Sequence, residues 1–284
     1  MSTGTAVRSY EKLGPPKKTV ESMFGYQLYY SSINPQPKQN RLFYKIYGVM
    51  HVGERIRFMH CMRLIRKRID SPMEILDGGS GNGNYAFYLA KLFPRAKITG
   101  IDISGEKMDS ASSIAHVLNL GNLSFTKKSL TNVKEEARYE LVVCIDVLEH
   151  IEDDSLAMRN MSNSLKPGGS LILHVPKDRK QALRHFKRFK EFSIEDHVRE
   201  EYRIDELLKK VRRAGLAVKS LSHTHGWFGS LAWEIDQLLI AHVRKLRYVA
   251  FPFLYLLMLA DVHLGNRAGN GFLLHCVKDG IERQ

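Results

Sequence analysis

Cysteine is scarce in this chain: Cys61, Cys144 and Cys276 are its three thiols. An odd number without a C-x-x-C pair supports neither a disulfide framework nor a cysteine-based zinc cluster, and a reducing compartment fits such usage. Long apolar runs are also lacking. The longest, residues 248–260, is too short at about 1.5 Å per helical residue to cross a hydrocarbon core ~30 Å thick, and Pro252 interrupts it. No membrane span is therefore expected, although contact with a membrane surface is compatible with it. Met1 to Lys18 contain no apolar stretch ahead of a small-residue cleavage site, so no secretory signal is expected and the cytoplasm is the expected compartment. Acidic residues are in deficit, 30 against 43 Lys and Arg, leaving a formal charge of +13. That field favours anionic partners, whether nucleic acid, acidic lipid headgroups or phosphorylated small molecules, without choosing among them.

What is present is ordinary for a globular protein. With 44% hydrophobic and 26% charged residues over 284 positions, a single core with elaborations is expected, not a fibrous or disordered chain. Residues 1–40 are rich in Gly, Pro, Ser and Lys and read as a loosely ordered arm, whose Tyr26, Tyr29 and Tyr30 could fold over a ligand. From Leu42 to Arg68 apolar residues recur at helical spacing with arginines between them, which predicts one or two basic amphipathic helices. Residues 1–70 are accordingly read as an arm and helical extension, and 71–284 as the main domain.

Beyond residue 72, short apolar runs alternate with helical stretches, the pattern of a parallel sheet covered on both faces. Strands are expected at residues 74–76, 97–103, 123–127, 139–146 and 170–175, with helices starting near Asn84, Gly105 and Asp153 and a short turn around Val133. A helix over 204–214, stopped by Gly215, precedes two further strands at 218–223 and 272–277. The expected fold is α/β, a doubly wound, mostly parallel seven-stranded sheet with a helical N-terminal extension. If the last two strands pair, residues 226–271 form an unusually long helical insertion between them.

The chemistry concentrates on the turn Asp77-Gly78-Gly79-Ser80-Gly81-Asn82-Gly83. Glycines between a strand and a helix let backbone approach a ligand where a Cβ would clash, as in nucleotide-binding loops. The dinucleotide fingerprint fails because Asn84 stands where its last glycine would be, and the P-loop fails because no Gly-Lys-Ser/Thr follows. Asp102, at the end of the second strand, is placed to accept hydrogen bonds from both hydroxyls of a ribose; its bland alternative is a cap for the next helix.

The arrangement Asp-x-Gly-x-Gly-x-Gly resembles the first motif of class I S-adenosylmethionine-dependent methyltransferases. Asp146-Val147-Leu148-Glu149-His150 resembles that family's fourth-strand motif, and Leu165-Lys166-Pro167-Gly168-Gly169 its turn before the fifth strand. Their form is similar to the branch that includes ubiquinone and menaquinone biosynthesis methyltransferases, and the resemblance spans roughly residues 73–176. It implies a Rossmann-like methyltransferase fold with S-adenosylmethionine as cofactor. It also implies that Gly78, Gly79, Ser80, Gly81 and Gly83 face the methionine portion, with Asp77 near its amino group and Asp102 on the ribose. Ile103 would border the adenine, with Ser129 and Leu130 standing where relatives commonly have an acidic residue; Asp146 and Val147 complete the implied cofactor set.

Methyl transfer from a sulfonium needs an in-line nucleophile, exclusion of water and sometimes a base. Four histidines are candidates for the last role. His150 follows the fourth strand, where the family also uses it as pocket wall. His223 and His225, one residue apart, are expected on one face at a strand end. His197, beside Asp196 in residues 194–199, falls in a segment that often covers the substrate in this fold; a solvated turn is its bland alternative. His174 reads as a core histidine, and no metal site is expected.

The acceptor is legible only indirectly. Ala182, Leu183, Phe186 and Phe189 alternate at helical spacing with Arg184, Lys187, Arg188 and Lys190, a basic amphipathic helix that either packs on the core or meets an anionic lipid or phosphate. Residues 226–271 could form a greasy lid, a membrane contact or a homodimer interface, and together with 177–200 they are expected to cap the substrate. Nucleic acid is disfavoured: the fourth strand lacks the Asp/Asn-Pro-Pro-aromatic motif of amino-directed enzymes, and no cysteine follows proline as in the C5-cytosine type. The expected function is transfer of a methyl group to a small or lipid-linked acceptor, at oxygen ahead of carbon or nitrogen, by a cytoplasmic, membrane-peripheral enzyme. The alternatives are an RNA methyltransferase and a non-catalytic S-adenosylmethionine-binding regulator.

Overall fold

A computed structural model describes residues 51–177, 185–186 and 202–279. Outside them lie the arm with its three tyrosines, the first part of the 42–68 stretch, all of the basic 182–190 helix except His185 and Phe186, and the 194–199 segment with His197. Seven strands follow the order β3-β2-β1-β4-β5-β7-β6, the doubly wound arrangement expected. The chain divides into two compact units, one containing residues 71–129 and the other residues 51–70 and 130–279.

In the first unit, β1 (Glu74–Gly78), β2 (Lys97–Asp102) and β3 (Leu123–Lys127) run parallel, with Asp77 opposite Gly100 and Ile98 opposite Leu123. Helix α2 (Asn84–Leu92) buries Ala86, Phe87, Leu89 and Ala90, and α3 (Gly105–Val117) buries Met108, Ala111, Ile114 and Ala115. These are the three- and four-residue spacings that put one face of a helix against a sheet. The Ser104 hydroxyl caps α3 by accepting from the Lys107 N–H at 3.3 Å. At the other end of α2, the Asn122 amide donates to the carbonyls of Ala90 and Ala96 at 3.0 and 3.2 Å, satisfying groups that the end of a helix leaves open.

In the second unit, β4 (Tyr139–Ile145) pairs parallel with β5 (Leu165–Pro176), while β7 (Gly271–Lys278) runs antiparallel to both β5 and β6 (Leu216–Thr224). The last two strands do pair, so the long connection between them is an insertion: helices α6 (Trp227–His242) and α7 (Arg247–Leu264). Residues 165–169 are not a turn ahead of the fifth strand. Pairing begins at Leu165 opposite Tyr139 and resumes at Ser170 opposite Leu141, so the Pro-Gly-Gly segment is a bulge within β5, with Gly168 at φ 76°. Helix α4 (Asp154–Ser164) precedes it, and α5 (Ile204–Arg213) precedes β6.

The extension helix, α1 (Val52–Arg68), packs within this unit and buries Val52, Ile56, Cys61, Met62 and Ile65. Polar groups are buried beside them. His60 Nε2 meets the Asp261 carboxylate of α7 at 2.9 Å, and the same carboxylate accepts the Gly229 N–H at 2.9 Å. Arg55 lies 5.5 Å from the centre of the Phe251 ring, a cation held over an aromatic face.

The expectation that Pro252 interrupts the apolar run is overturned. Helix α7 passes through it as its sixth residue and continues to Leu264. Proline there forfeits one hydrogen bond to the carbonyl four residues back, at a cost of about 3 kcal/mol. Phe251 on one side of it and Leu254 and Met258 on the other are fully buried, and burial of such side chains at roughly 1.5–3 kcal/mol each outweighs that loss.

Candidate functional site

The glycine turn belongs entirely to the first unit, where it is held from two directions. The N–H groups of Gly79 and Ser80 both donate to the Ile101 carbonyl at 2.8 Å, tying the turn to β2. The Asp102 carboxylate accepts from the Gly81 N–H and the Ser104 N–H, each at 2.9 Å. Asp102 therefore spans the turn after β1 and the turn after β2. A carboxylate offers about four lone-pair sites, so two remain for hydroxyls presented from outside.

Asp77 lies beneath the turn, 2% exposed. It accepts the Ser80 hydroxyl at 2.7 Å and the Ala86 N–H at 3.1 Å. Burial pushes its carboxyl up to about 6, against the lowering effect of those two hydrogen bonds and with a small contribution from the charge of Asp102.

Two glycines make this geometry possible. Gly100 faces the Phe125 ring so closely that a Cβ would sit 2.5 Å from Cδ1. Gly83, which starts α2 at φ 80°, would place a Cβ 2.8 Å from Phe125 Cζ and 2.9 Å from Phe87 Cε2. Gly83→Ala is accordingly expected to lower stability by about 1–2 kcal/mol from the left-handed backbone alone. Urea unfolding checks this; a wild-type midpoint would show that the turn relaxes freely.

Gly81 differs, because a Cβ built on it meets nothing within 4 Å. Its left-handed backbone opens onto free space, as a ligand-facing turn requires. Ile103 stands next to Asp102 with 71% of its surface exposed, an apolar surface available to a flat ring. Ser129 is half-buried at the end of this unit.

The second unit gathers a different set of residues. Asp146 follows β4 at φ 52°, a conformation that aspartate tolerates better than most residues. Its carboxylate meets Arg57 Nε of α1 at 2.7 Å and the Nδ1 of His174 of β5. His174 Nε2 in turn lies 2.8 Å from the Thr224 hydroxyl at the end of β6. Burial alone raises the Asp146 carboxyl, but Arg57 and His174 outweigh it and hold the group far below the usual carboxylate range. Asp146 is thus a fixed anion. His174 is a core residue, as expected, and also links three elements of this unit.

The expected pairing of His223 and His225 on one face does not occur. β6 ends at Thr224, and His225 takes φ 51°, so the alternation of a strand stops before it. His223 packs its ring against Phe272 at 5.4 Å between centroids. His225 is half-buried beside this polar group: desolvation, reinforced by Arg57 and His174, pushes its imidazole down to about 3, so it is neutral at ordinary pH.

Leu130 and Val147 also belong to this unit, Leu130 being 3% exposed. His150 is exposed on the short turn Leu148–His150. The side chain that turns inward there is Glu149, 1% exposed, with its Oε2 lacking a hydrogen-bond partner. Burial and the charge of Asp146 push its carboxyl up to about 8. Arg57 and Glu149 are among the groups here that reading the sequence did not single out. Glu149 lay inside a motif already singled out, whereas nothing in α1 distinguishes Arg57 from its neighbouring arginines.

A family model for a methyltransferase domain matches residues 69–221. The chain belongs to this family, and with it to the class I S-adenosylmethionine-dependent methyltransferases, whose cofactor is S-adenosylmethionine. The ubiquinone biosynthesis O-methyltransferase of Rickettsia bellii (strain OSU 85-389) is 28% identical over 138 residues, which are 48% of this chain and 56% of that protein. The chain thus matches about half the length of such curated relatives.

Among solved structures, the [4+2]-cyclase SpnF aligns with a TM-score of 0.56 at 18% identity, covering 79% of this chain and 80% of that one. The 1,6-didemethyltoxoflavin-N1-methyltransferase of Burkholderia thailandensis, solved with S-adenosylhomocysteine, aligns with a TM-score of 0.52 at 13% identity, covering 80% of this chain and 79% of that one. A cyclase and an N-methyltransferase on one scaffold mean that the fold alone does not name the reaction.

Proposed function

We propose that this protein transfers a methyl group from S-adenosylmethionine to a hydroxyl oxygen of a small or lipid-linked acceptor. The observation that carries the reading is the first unit's cradle, in which Asp102 props the glycine turn open and Asp77 is buried beneath it. The open backbone at Gly81, the remaining lone pairs of Asp102 and the bare surface of Ile103 fit a nucleoside carrying an amino-acid tail. Asp102 would hold the ribose, Ile103 and Ser129 would border the adenine, and Asp77 would meet the amino group. When bound, the cofactor supplies a methyl group made electrophilic by the adjoining sulfonium.

Oxygen as acceptor atom is supported by the Rickettsia bellii relative, named an O-methyltransferase. Methylating a hydroxyl releases a proton, which must go to a base or to water. The second unit offers one unprotonated group at neutral pH, the imidazole of His225, whereas the Glu149 carboxyl, raised to about 8, is mostly protonated there and accepts a proton only once it has ionised. The negative charge of Asp146, locked by Arg57 and His174, favours the protonated form of either group, the imidazolium of His225 and the neutral acid of Glu149.

The reading is tested by incubating the protein with methyl-labelled cofactor and fractionated extract, separating lipid, RNA, protein and small-molecule products. Label is expected as an alkali-stable methyl ether in the lipid or small-molecule fraction. Label confined to RNA, or none in any fraction, contradicts the proposed acceptor.

A pH dependence follows from Asp77. Its carboxyl, raised to about 6, is mostly protonated at pH 5 and mostly ionised at pH 7, and the ionised form attracts a cofactor ammonium. Affinity for S-adenosylhomocysteine is therefore expected to rise roughly tenfold between those pH values. Calorimetric titration of wild type and Asp77→Asn checks this. The variant should lose the slope, and a slope persisting in it would assign the effect to another group.

A further inference from the structure

The insertion between β6 and β7 has a surface of unusual composition. On α7, Val249 is 75% exposed, Phe253 56%, Leu256 63% and Leu264 70%. At 3.6 residues per turn these four fall within an arc of roughly 80°. The buried side chains of the same helix, Phe251, Leu254, Met258 and Val262, lie on the opposite face. The apolar stripe continues around the elbow between the two helices, where Val243 and Leu246 are also exposed.

Charge on this insertion is one-sided. Its carboxylates are Glu234, Asp236 and Asp261, and all three are buried. Glu234 accepts the backbone N–H groups of His185 and Phe186, Asp236 is paired with Arg247, and Asp261 with His60. Arg244 and Lys245, by contrast, stand exposed at the elbow between Val243 and Leu246. From Trp227 to Leu264 the solvent-facing side therefore presents apolar groups and cations and no anion.

From these observations we propose that the α6–α7 elbow and the outer face of α7 dock on an anionic lipid surface, with Arg244 and Lys245 at the headgroups and Phe253 and Leu256 in the outer acyl region. A helix with this division of faces lies in the plane of an interface. By length and composition Arg244–Leu264 could also cross a membrane, with a mean hydropathy of 1.3. Crossing would strip Phe251, Leu254 and Met258 from the interior and break the Asp261–His60 pair, while β7, which follows directly, is fixed between β5 and β6. A second copy of the chain is a poorer occupant, because two such elbows would bring cations together.

Flotation with vesicles of phosphatidylcholine, pure or containing about one-third phosphatidylglycerol, tests this without acceptor or methyl transfer, so its failure is separate from failure of the O-methylation reading. Wild type should bind the anionic vesicles and release them as salt is raised. R244Q/K245Q should weaken that binding on the order of 10- to 30-fold, from roughly 1 kcal/mol per cation near the surface. F253S/L256S should weaken it at least tenfold, by removing the buried anchors. All these positions are exposed, and an unchanged thermal midpoint in each variant certifies the fold. Equal wild-type binding to both vesicle types, no binding to either, or wild-type binding by either variant overturns the proposal. So does a wild-type dimer in sedimentation that F253S/L256S makes monomeric, since it would assign the face to a second copy.

Discussion

Asp146→Asn should cost about 2–3 kcal/mol of stability near neutral pH. The substitution keeps the side chain's shape and its tolerance of a left-handed backbone, so the loss measures charge alone. Removing one partner of a fully buried ion pair costs about 3–5 kcal/mol, because the other charge is stranded. Here Arg57 and Asp146 are 27% and 22% exposed, and solvent takes back part of that cost. The sign of the pH dependence follows from the depressed folded-state value. The contribution is fully present above the unfolded value near 3.8 and is lost as pH falls below about 4. Urea unfolding of both proteins across the acid range should therefore show two curves that differ at pH 7 and converge on acidification. Equal stability at pH 7 would mean that Arg57 and His174 find water as readily as they find Asp146.

Asp102→Ala should weaken binding of the cofactor product by about 1.5–3 kcal/mol, the worth of hydrogen bonds to a charged acceptor, or roughly 10- to 150-fold. Two effects combine. The ribose would lose its acceptor, and the Gly81 and Ser104 N–H groups, each bonded to this carboxylate at 2.9 Å, would lose theirs. Asp102→Asn separates them: its amide oxygen can retain one backbone bond, so it should bind more tightly than the alanine variant and less tightly than wild type. An alanine variant with wild-type affinity would contradict the placement of Asp102 in the cofactor cradle.

The local elements were legible wherever local signals governed them. β3 runs from Leu123 to Lys127 and α2 starts at Asn84, both as the apolar pattern and the glycine turn indicated. The cradle residues were legible for the same reason, since Asp77, the glycines and Asp102 lie within a short segment whose spacing is the signal. The polar group of the second unit was not. His60 and Asp261 are 201 positions apart, and no pattern in either helix announces such a partner. His225 misled because period-two alternation applies only while the strand continues, and the strand stops one residue earlier. Pro252 misled because a helix-breaking residue competes with burial on both its sides, and burial won. Glu149 was overshadowed by its neighbour His150, the more familiar proton carrier, although burial singles out the glutamate.

These corrections bear on chemistry more than on fold. His223 and His225 do not share a face, and the groups proposed to handle the proton, the His225 imidazole and the Glu149 carboxyl, stand near a fixed anion, Asp146. The first unit, by contrast, was changed only in detail: Asp102, proposed to offer oxygens to a ribose, also shapes the glycine turn through its bond to the Gly81 N–H.

The most direct test of the central claim is a calorimetric titration of the wild-type chain with S-adenosylhomocysteine at neutral pH, where Asp77 is ionised. One molecule should bind per chain with micromolar or tighter affinity. No binding heat up to millimolar ligand would contradict the cradle of Asp77, the glycine turn and Asp102 as a cofactor site.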